Sequence, residues 1–458
     1  MIVEGQTRVH FIGVGGAGMS AIAKVLLERG HFVSGSDLKR SSATTVLEAI
    51  GATVQIGHDG ALVDEHRPDL VVASSAIPDT NPEIRRAREL GIRVAGRGEA
   101  LAKILEGSRS IVVAGTHGKT TTTSLIVTIL GNAGMDPTYL VGGGLNDVGT
   151  NARHGRSDIA VAESDESDGS FLLLSPHIAV VTNVESDHLD YWKSAAEIRR
   201  GFLAFIERVD PDGAIVMPAG SDLLEEARKS GRKIVTFGPA GDVSADGIEL
   251  SIDDSSFTVA AGGERAAARL RIPGLHNVSN ALAAVGAALE VGISLEVVAA
   301  RLSDFQGVER RFQIKGRSRG VTVIDDYAHH PTEIKATLAA ALPGSWDRIV
   351  AVFQPHRYSR TQAFRREFGR AFADADRVVV TDVYGAGEEP VPGVTGKIVA
   401  DSVCANLPGR PVAYLPHRAD LVAYLETITR PGDLLMTLGA GDITTLGEEM
   451  LTRLGSSR

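Results

Sequence analysis

The most restrictive feature of the sequence is a glycine-rich turn between a strand pattern and a helix pattern, in the stretch IVVAGTHGKTTT at residues 111–122. The stretch opens with apolar, β-branched residues, which predict a buried strand, and it breaks at Gly115 and Gly118 before a helix begins. Backbone N–H groups at the start of such a helix bind anions, and the helix dipole adds positive potential. The turn therefore predicts a phosphate-binding loop, in which Lys119 reaches the β- and γ-phosphates and the Thr120 hydroxyl ligates Mg²⁺.

This loop departs from the strict phosphate-loop pattern, because that pattern requires a glycine where Val113 stands. The shorter form Gly-x-x-Gly-Lys-Thr still keeps the strand, the glycines, the Lys-Thr pair and the helix in the required order. The alternative is an ordinary strand–helix connection that binds no ligand.

Composition predicts an α/β protein of about three domains, on a prior of roughly 150 residues per domain for a chain of 458 residues. The net charge of −10 argues against nucleic acid or an anionic membrane as the main partner. A single cysteine, Cys404, excludes an intrachain disulfide and fits a reducing compartment. The N-terminus runs straight into a strand pattern and no apolar run reaches the length of a membrane span, so we expect no signal peptide, no membrane anchor and a cytoplasmic location.

A second glycine-rich turn, Gly13-x-Gly15-x-x-Gly18, follows the first predicted strand and precedes a helix pattern. The next strand pattern ends at Asp37, nineteen residues past Gly18. Glycines in this position let a diphosphate approach the backbone, and the acid binds ribose hydroxyls, as in dinucleotide-binding folds. The motif does not separate a nicotinamide cofactor from a UDP-sugar, and tight strand–helix packing without a ligand is the alternative.

Strand patterns with polar ends continue along the first and middle thirds of the chain. A predicted third strand at residues 69–77 carries polar residues at its end, where ligands bind in such sheets. In the middle third, one strand runs into a cluster of acids that begins at Glu163, whose oxygens suit Mg²⁺. The following strand ends in Thr-Asn and then Asp-His, and His188 is equally well explained as a metal ligand or as a core histidine.

The segment at about 213–271 is β-rich and irregular, and a helix with polar residues in its first turn follows it. Helix capping and recognition of a base by amides explain those polar residues equally well. Arg310 and Arg311 offer two adjacent guanidinium groups for phosphate binding. In the last third, strands and helices alternate again, which predicts a second doubly wound domain with His, Arg and Tyr residues at one edge. Guanidinium groups at that edge would bind a carboxylate, and metal binding by His329 and His330 is the alternative that we discount.

Taken together, these motifs resemble the Mur ligase family. The matching segments are GGAGMS at 15–20, SSAI at 74–77, GTHGKT at 115–120, Glu163 with DESD at 165–168, TN at 182–183 with DH at 187–188, HN at 276–277 with Asn280, DYAHHP at 326–331 and QPHR at 354–357. The resemblance implies a UDP-sugar-binding Rossmann-like domain at 1–107. It implies a central ATP-binding domain at 108–313, with a mostly parallel P-loop sheet and a small β-rich part. The C-terminal Rossmann-like domain at 314–458 would bind the amino acid.

The resemblance also implies a role for each group of site residues. The residues expected to bind the UDP-sugar are Gly15, Gly16, Ala17, Gly18, Met19, Ser20, Asp37, His58, Ser74, Ser75, Ala76 and Glu166. Those expected to bind ATP are Gly115, Thr116, His117, Gly118, Lys119, Thr120, Thr121, His276, Asn277, Asn280, Arg311 and Asp326. Those expected to bind the amino acid are Tyr327, His329, His356, Arg357 and Arg360. The expected Mg²⁺ ligands are Thr120, Glu163 and His188, and the expected catalytic residues are Lys119, Glu163, His188, His329 and Arg357.

The reaction implied by the resemblance joins L-alanine to the carboxylate of UDP-N-acetylmuramate through an acyl phosphate, with ATP and Mg²⁺, by a monomer or weak dimer. A related ligase that attaches a recycled peptide to the same sugar nucleotide is the nearest alternative. A nicotinamide oxidoreductase would leave Lys119 and Glu163 unused, and a nucleotide switch would leave the third domain without a role. Lys193 lies too close to His188 to match the carbamylated lysine of some family members.

Overall fold

The computed structural model describes residues 6–144 and 150–456. By contacts the chain divides into two compact units. The first unit runs from the N-terminus to Asp246 and also holds Phe257–Ala268 and Ser279–Gln306. The second holds Gly247–Ser256, Arg269–Val278 and the chain from Gly307 onward.

The first sheet has five parallel strands in the order β3-β2-β1-β4-β5. Its strands are β1 (Arg8–Ile12), β2 (Phe32–Asp37), β3 (Thr53–Ile56), β4 (Leu70–Ala73) and β5 (Arg93–Gly96). Helices α1 (Ala17–Glu28), α2 (Ser42–Ala49), α3 (Ala61–His66), α4 (Pro82–Glu89) and α5 (Arg97–Leu105) alternate with them. This order is the one expected of a Rossmann-like domain, and the sequence prediction missed strands β3 and β5 because both are short and partly exposed.

The second sheet has ten strands in the order β15-β14-β13-β12-β11-β10-β6-β9-β7-β8, and β6 lies between β10 and β9, parallel to both. Its strands are β6 (Arg109–Ala114), β7 (Thr138–Leu140), β8 (Ala152–Arg153), β9 (Ile159–Glu163), β10 (Ile178–Val181), β11 (Ala214–Pro218), β12 (Lys233–Phe237), β13 (Val243–Leu250), β14 (Ser255–Ala261) and β15 (Glu264–Leu270). The helices are α6 (Lys119–Asn132), α7 (Leu189–Trp192), α8 (Ala195–Glu207), α9 (Leu224–Arg228), α10 (Leu275–Glu290) and α11 (Leu295–Arg301). Short 3-10 helices span Ser170–Leu173 and Leu302–Asp304.

The third sheet has six strands in the order β16-β17-β21-β18-β19-β20, and only the edge pair β16–β17 is antiparallel. Its strands are β16 (Gln313–Ser318), β17 (Val321–Asp326), β18 (Arg348–Phe353), β19 (Arg377–Val380), β20 (Val412–Tyr414) and β21 (Asp433–Leu438). The helices are α12 (Pro331–Ala341), α13 (Tyr358–Ala363), α14 (Arg365–Ala371), α15 (Lys397–Asn406), α16 (Arg418–Ile428) and α17 (Thr444–Ser456).

Apolar runs explain why the central strands lie in the interior. Strands β6, β9 and β10 are made almost entirely of Ile, Val and Ala, and these side chains are at most 3% exposed. Parallel strands carry such runs when helices cover both faces of the sheet. The predicted α/β fold with three domains is therefore confirmed, whereas the exact domain boundaries stay predictions.

Strand order also determines which polar residues meet. Gly115 follows β6, Glu163 is the last residue of β9 and Thr182 follows β10, and these three strands are neighbours. The carboxyl ends of neighbouring parallel strands lie at one edge of the sheet, where α/β proteins bind ligands. No helix of the described residues is long and apolar enough to cross a membrane.

Candidate active site

The loop between β6 and α6 has a backbone that only glycine tolerates at two positions. Gly115 has φ +143° and Gly118 has φ +77°. A Cβ on Gly115 would collide with the Thr182 hydroxyl, and one on Gly118 would collide with the side-chain oxygen of Asn280. These two glycines are therefore required both by the backbone and by the close approach of polar side chains.

Two side chains after β10 hold this loop in shape. The amide of Asn183 accepts a hydrogen bond from the backbone N–H of His117 at 2.8 Å and donates one to its carbonyl oxygen at 3.0 Å. The Thr182 hydroxyl donates to the same carbonyl at 2.6 Å. The Thr116 hydroxyl pairs with the backbone of Glu185. The loop conformation is thus fixed before any ligand binds.

Lys119, the first residue of α6, turns its ammonium group back into the loop. Its Nζ donates to the Gly115 carbonyl at 2.7 Å and to Oε2 of Glu166 at 2.7 Å. Burial lowers the pKa of Lys119, but the carboxylates of Glu166 and Asp165 outweigh burial, so the net shift is upward and the ammonium stays charged. Thr121, which was expected to bind ATP, is buried in the same helix.

Lys119 stays charged, whereas burial favours the neutral form of the Glu166 carboxyl group. Burial raises the pKa of Glu166 to about 7, and the charge of Asp165 adds to the effect while Lys119 opposes it. Burial also raises the pKa of Asp165, but Lys119 and the Ser167 backbone N–H more than compensate, so its net pKa is lowered. Asp165 is therefore the carboxylate that stays ionised, and Glu166 is the one that shares a proton near neutral pH.

Thr120 and Glu163 form an oxygen-rich cradle that fits a hard cation. The Thr120 hydroxyl donates to Oε1 of Glu163 at 2.9 Å, and the Gly142 backbone N–H donates to Oε2 at 2.7 Å. A Cβ on Gly142 would lie 2.7 Å from that carboxylate, so only glycine leaves room there. Hydroxyl and carboxylate oxygens are the ligands that Mg²⁺ prefers.

His188 lies with a different pair of acids. Its Nε2 is 4.0 Å from Oε1 of Glu166 and 3.7 Å from Oδ2 of Asp187. His188, Asp165 and Glu166 bring one ligand atom each within 4.8 Å of one another. His188 also has a left-handed backbone, with φ +50°. The predicted ligand set of Thr120, Glu163 and His188 thus falls into two adjacent groups, and its joint role stays a prediction.

The first glycine-rich loop is supported more simply. Oδ2 of Asp37 accepts the Gly15 N–H at 2.8 Å, and the Ser36 carbonyl accepts the Gly13 N–H at 2.8 Å. α1 then begins at Ala17 with no side-chain cap and no acid in its first turn. Met19 and Ser20 are buried, and the Ser20 hydroxyl donates to the Ala17 carbonyl at 3.1 Å.

Most of the remaining residues predicted for the UDP-sugar follow strands of the first sheet. Nδ1 of His58 lies 2.9 Å from the Ser36 hydroxyl and 2.8 Å from Oε1 of Glu83, a fully buried acid that also pairs with His10 at 2.7 Å. Ser74 directly follows β4 beside Gly13. Ser75 and Ala76 follow it and are exposed, whereas Glu166 is held by Lys119.

In the second unit, three residues predicted for ATP influence one another electrostatically. Asp326 is buried and accepts hydrogen bonds from the backbone N–H groups of Phe312 and Ala328, each at 2.7 Å. Burial raises the pKa of Asp326 to about 6, against the opposing effect of Arg311. Burial, with a contribution from Arg311, lowers the pKa of His276 to about 4, so this histidine is neutral.

The two asparagines predicted for ATP are placed by different contacts. Asn277 donates from Nδ2 to the Pro273 carbonyl at 2.7 Å, as a residue in the first turn of α10. Asn280 instead packs against Gly118 within the first unit. The structure therefore associates Asn280 with the phosphate loop, and a contact with adenine stays a prediction.

The residues predicted for the amino acid form one continuous group. The guanidinium groups of Arg310 and Arg311 both contact the Tyr327 ring, at 5.0 and 4.9 Å from its centre. The ring contacts continue from Tyr327 to His329 at 5.3 Å and from His329 to His356 at 5.7 Å. Nη1 of Arg360 then lies 3.3 Å from Nδ1 of His356.

Arg357 completes this group with a strained backbone, at φ +69°. Its Nε lies 3.3 Å from Oε1 of Glu388, and Oε2 of the same carboxylate accepts a hydrogen bond from the Ser359 N–H at 3.0 Å. Non-glycine residues with such φ values are concentrated at functional sites. Sequence patterns did not indicate Glu388, because it lies in a loop without a motif.

Sequence reasoning missed several residues that build the site. Asn183 and Thr182 were visible as a polar strand end but had no role assigned, and Asp165 was recognised only as a member of the acidic run that begins at Glu163. No role was predicted for Gly142, which lies in a run of three glycines at 142–144. Their roles depend on which strands are neighbours in the sheet, which a single sequence does not display.

Comparison with known proteins gives a consistent picture along the whole chain. The Mur ligase family, catalytic domain, matches residues 8–109. The Mur ligase middle domain matches residues 113–288, and the Mur ligase, glutamate ligase domain matches residues 310–441.

Individual relatives agree with these matches. A curated UDP-N-acetylmuramate--L-alanine ligase from Rubrobacter xylanophilus is 49% identical over 451 residues, which cover 98% of this chain and 100% of the relative. Among solved structures, the UDP-N-acetylmuramate-alanine ligase MurC from Thermotoga maritima has a TM-score of 0.80 and 31% identity, covering 99% of this chain and 100% of the other. A murein peptide ligase from Psychrobacter arcticus has a TM-score of 0.73 and 27% identity, covering 99% of both chains.

Proposed function

The chain belongs to the Mur ligase family, and from this premise we propose that it joins L-alanine to the carboxylate of UDP-N-acetylmuramate in an ATP-dependent reaction of peptidoglycan precursor synthesis. The observation that carries the proposal is the 49% identity to a ligase of that name over 98% of this chain and the whole of the relative. The phosphate loop, the oxygen-rich cradle of Thr120 and Glu163, and the group of residues predicted for the amino acid would supply the chemistry that such a reaction needs.

In the first half-reaction, the muramyl carboxylate attacks the γ-phosphorus of ATP. ADP is the leaving group, and the product is an acyl phosphate. Two anions must meet, so the site must neutralise charge before and during attack. The N–H groups at the start of α6 and the charged ammonium of Lys119 would do so, after Lys119 exchanges the Gly115 carbonyl and Glu166 for phosphate oxygens.

Mg²⁺ fits the cradle of Thr120 and Glu163, and His188 is the third proposed ligand. When bound, the ion would supply further positive charge at the phosphates. Within the chain itself, Gly142 keeps the Glu163 carboxylate in position through its N–H group, and Asn183 keeps the loop in position.

In the second half-reaction, the amine of alanine attacks the acyl carbon and expels phosphate. The amine must be neutral, so a base is needed, and His188 or His329 is our candidate. Arg357 and Arg360 would hold the alanine carboxylate, with Tyr327 and His356 shaping the pocket beside them.

The remaining substrate groups are assigned from the chemistry of each pocket. The start of α1, from Gly15 to Ser20, would bind the diphosphate, and Asp37 and His58 would lie near the nucleoside. Ser74, Ser75, Ala76 and Glu166 would complete the UDP-sugar site. Asn280 with His276 or Asn277 would contact adenine, with Asp326 at the ribose and Arg311 at the phosphates. We extend the proposal to the domain boundaries 107 and 313, a monomer or weak dimer, and a cytoplasmic location.

Phosphate release with ATP, UDP-N-acetylmuramate and each amino acid in turn tests the proposal. We expect release with L-alanine that requires both the sugar nucleotide and Mg²⁺, and an amide product of matching mass. Release with a tripeptide but not with alanine would instead support the peptide-attaching ligase, whose structural relative is less similar than the alanine ligase. No release with any acceptor would overturn the proposal.

A further inference from the structure

The first glycine loop carries no cation of its own, although the diphosphate proposed to bind there is strongly negative. Residues 13–20 contain no Lys or Arg, and the first turn of α1 has no side-chain cap. The phosphate loop at residues 115–120, by contrast, places Lys119 at the start of its helix. A cation for the first loop must therefore come from elsewhere in the fold.

Arg97 lies where that cation is needed. It is the first residue of α5, and its side chain passes over Gly18 in the first turn of α1. A Cβ on Gly18 would lie 3.1 Å from Cδ of Arg97 and 3.3 Å from its Nη1. The guanidinium group and the positive end of the α1 dipole thus lie side by side, which favours an anion between them.

The contacts of Arg97 hold one edge of the guanidinium and leave the other for a ligand. Nη2 donates to Oδ2 of Asp168 and to the Ser170 hydroxyl, both at 3.2 Å. Among residues 6–144 and 150–456, Nη1 and Nε have no hydrogen-bond partner. The side chain is 20% exposed, so part of it is accessible to a ligand.

Tight backbone packing fixes the position of Arg97. Gly98, the next residue, lies so close to Ser170 that an added Cβ would be 2.7 Å from Cβ of Ser170 and 3.1 Å from Leu173. α5 therefore begins directly against the short helix that follows the acidic segment 163–168. That segment pairs through Glu166 with Lys119 and through Asp168 with Arg97, so it contacts a cation of each glycine loop.

We propose that Arg97 is a substrate-binding residue, whose Nη1–Nε edge contacts the diphosphate of the nucleoside-diphosphate sugar at the start of α1 while Asp168 and Ser170 hold Nη2. This inference rests on the proposed function, because it assumes that a nucleoside diphosphate binds at that loop. It adds a specificity element, since a nucleoside without phosphates gains nothing from the guanidinium.

Calorimetric binding of UDP and of uridine, with ADP present to fill the other phosphate loop, tests the proposal. We expect Arg97→Ala to weaken UDP binding about 10- to 100-fold, as for loss of a charged hydrogen bond, with uridine and ADP each within about twofold. Arg97→Lys should fall between, because it keeps the charge but loses the planar fork. Arg93→Ala is the control, since Arg93 is an exposed arginine of the same region that pairs with Glu99.

Unchanged UDP affinity in a folded Arg97→Ala variant would overturn the inference, and so would equal losses for UDP, uridine and ADP, which indicate a structural role. If Arg97→Ala does not fold, Arg97→Lys and Arg97→Gln carry the same comparison. Failure of the proposed function can be distinguished from failure of the Arg97 inference alone. In the former case, the wild type would neither bind UDP nor release phosphate with the sugar nucleotide and alanine. A wild type that is active beside an Arg97→Ala variant of normal UDP affinity would refute only the role of Arg97.

Discussion

The two glycine loops of the first unit use the same backbone device but are stabilised differently. Each joins a buried parallel strand to a helix that starts without a side-chain cap. The loop before α6 is fixed by Thr182 and Asn183, and Lys119 is its own cation. The loop before α1 is held by Asp37, and a cation from another helix, Arg97, lies beside it.

The difference indicates two kinds of substrate handling. A loop that takes part in phosphoryl transfer must present donors without rearranging, so a rigid, fully supported backbone suits the phosphate loop. A loop that only binds a diphosphate needs room for the ligand and a cation nearby. Four predictions test this distinction, from the largest expected effect to the smallest.

Lys119→Ala should abolish ATP-dependent phosphate release, with a fall in kcat of at least about 1000-fold, because the ammonium group neutralises the transferring phosphate. Steady-state phosphate release measures the effect, and UDP binding should change by less than about twofold. The control is Lys103→Ala, since Lys103 lies on α5 and pairs with Glu106. Normal turnover in Lys119→Ala would remove the phosphate loop from the mechanism.

Glycine-to-alanine substitutions should reduce stability by different amounts in the two loops. Gly118→Ala should destabilise the protein by about 2–4 kcal/mol, because φ of +77° is strained for alanine and the methyl group meets Asn280. Gly16→Ala should cost less than about 1 kcal/mol, since Gly16 has φ −66° and the nearest atom to its added Cβ is 3.6 Å away. Chemical denaturation measures both.

The same Gly16→Ala variant should nevertheless raise KM for the sugar nucleotide about tenfold, because the methyl group would occupy space needed by the diphosphate. A substantial loss of stability in Gly16→Ala, or an unchanged KM, would show that the two loops do not differ in this way.

Sequence patterns predicted the fold and the positions of both loops, because strand, glycine turn and helix leave a local signal. They also singled out Lys119, Thr120 and Glu163, because ammonium, hydroxyl and carboxylate groups suit phosphate and Mg²⁺ binding. They did not assign Arg97, Asn183 or Gly142, because the roles of these residues arise from contacts with elements distant in the sequence. Strands β3 and β5 were missed for a related reason, since short edge strands with exposed residues carry no continuous apolar run.

Glu166, which pairs with Lys119 of the loop before α6, should make the stability of the protein depend on pH. The pKa of its carboxyl is raised by burial to about 7, whereas the unfolded value is near 4.5. The folded state therefore binds more protons between about pH 4.5 and 7, so this group stabilises the protein at low pH and loses that contribution, up to about 3 kcal/mol, as pH rises through 7. Glu166→Gln should remove that slope.

The measurement follows urea unfolding by Trp192 fluorescence in a Trp346→Phe background, since the chain has two tryptophans and Trp192 donates to the Glu166 carbonyl. Groups that titrate in both proteins cancel in the difference. Parallel stability curves for wild type and Glu166→Gln would contradict the raised pKa.

The smallest effects should come from the side chains that support each loop. Asn183→Ala leaves the N–H and carbonyl groups of His117 without their side-chain partner and should cost about 1–3 kcal/mol, with weaker ATP binding and unchanged UDP binding. Asp37→Asn keeps an acceptor for the Gly15 N–H and loses only the charge, so it should cost about 1 kcal/mol or less and affect UDP alone. Because the two supports share no partner, the double variant should show the sum of the single effects. A loss larger than the sum would mean that the two loops are energetically coupled. The acidic segment 163–168, which contacts both Lys119 and Arg97, would then be the expected connection between them.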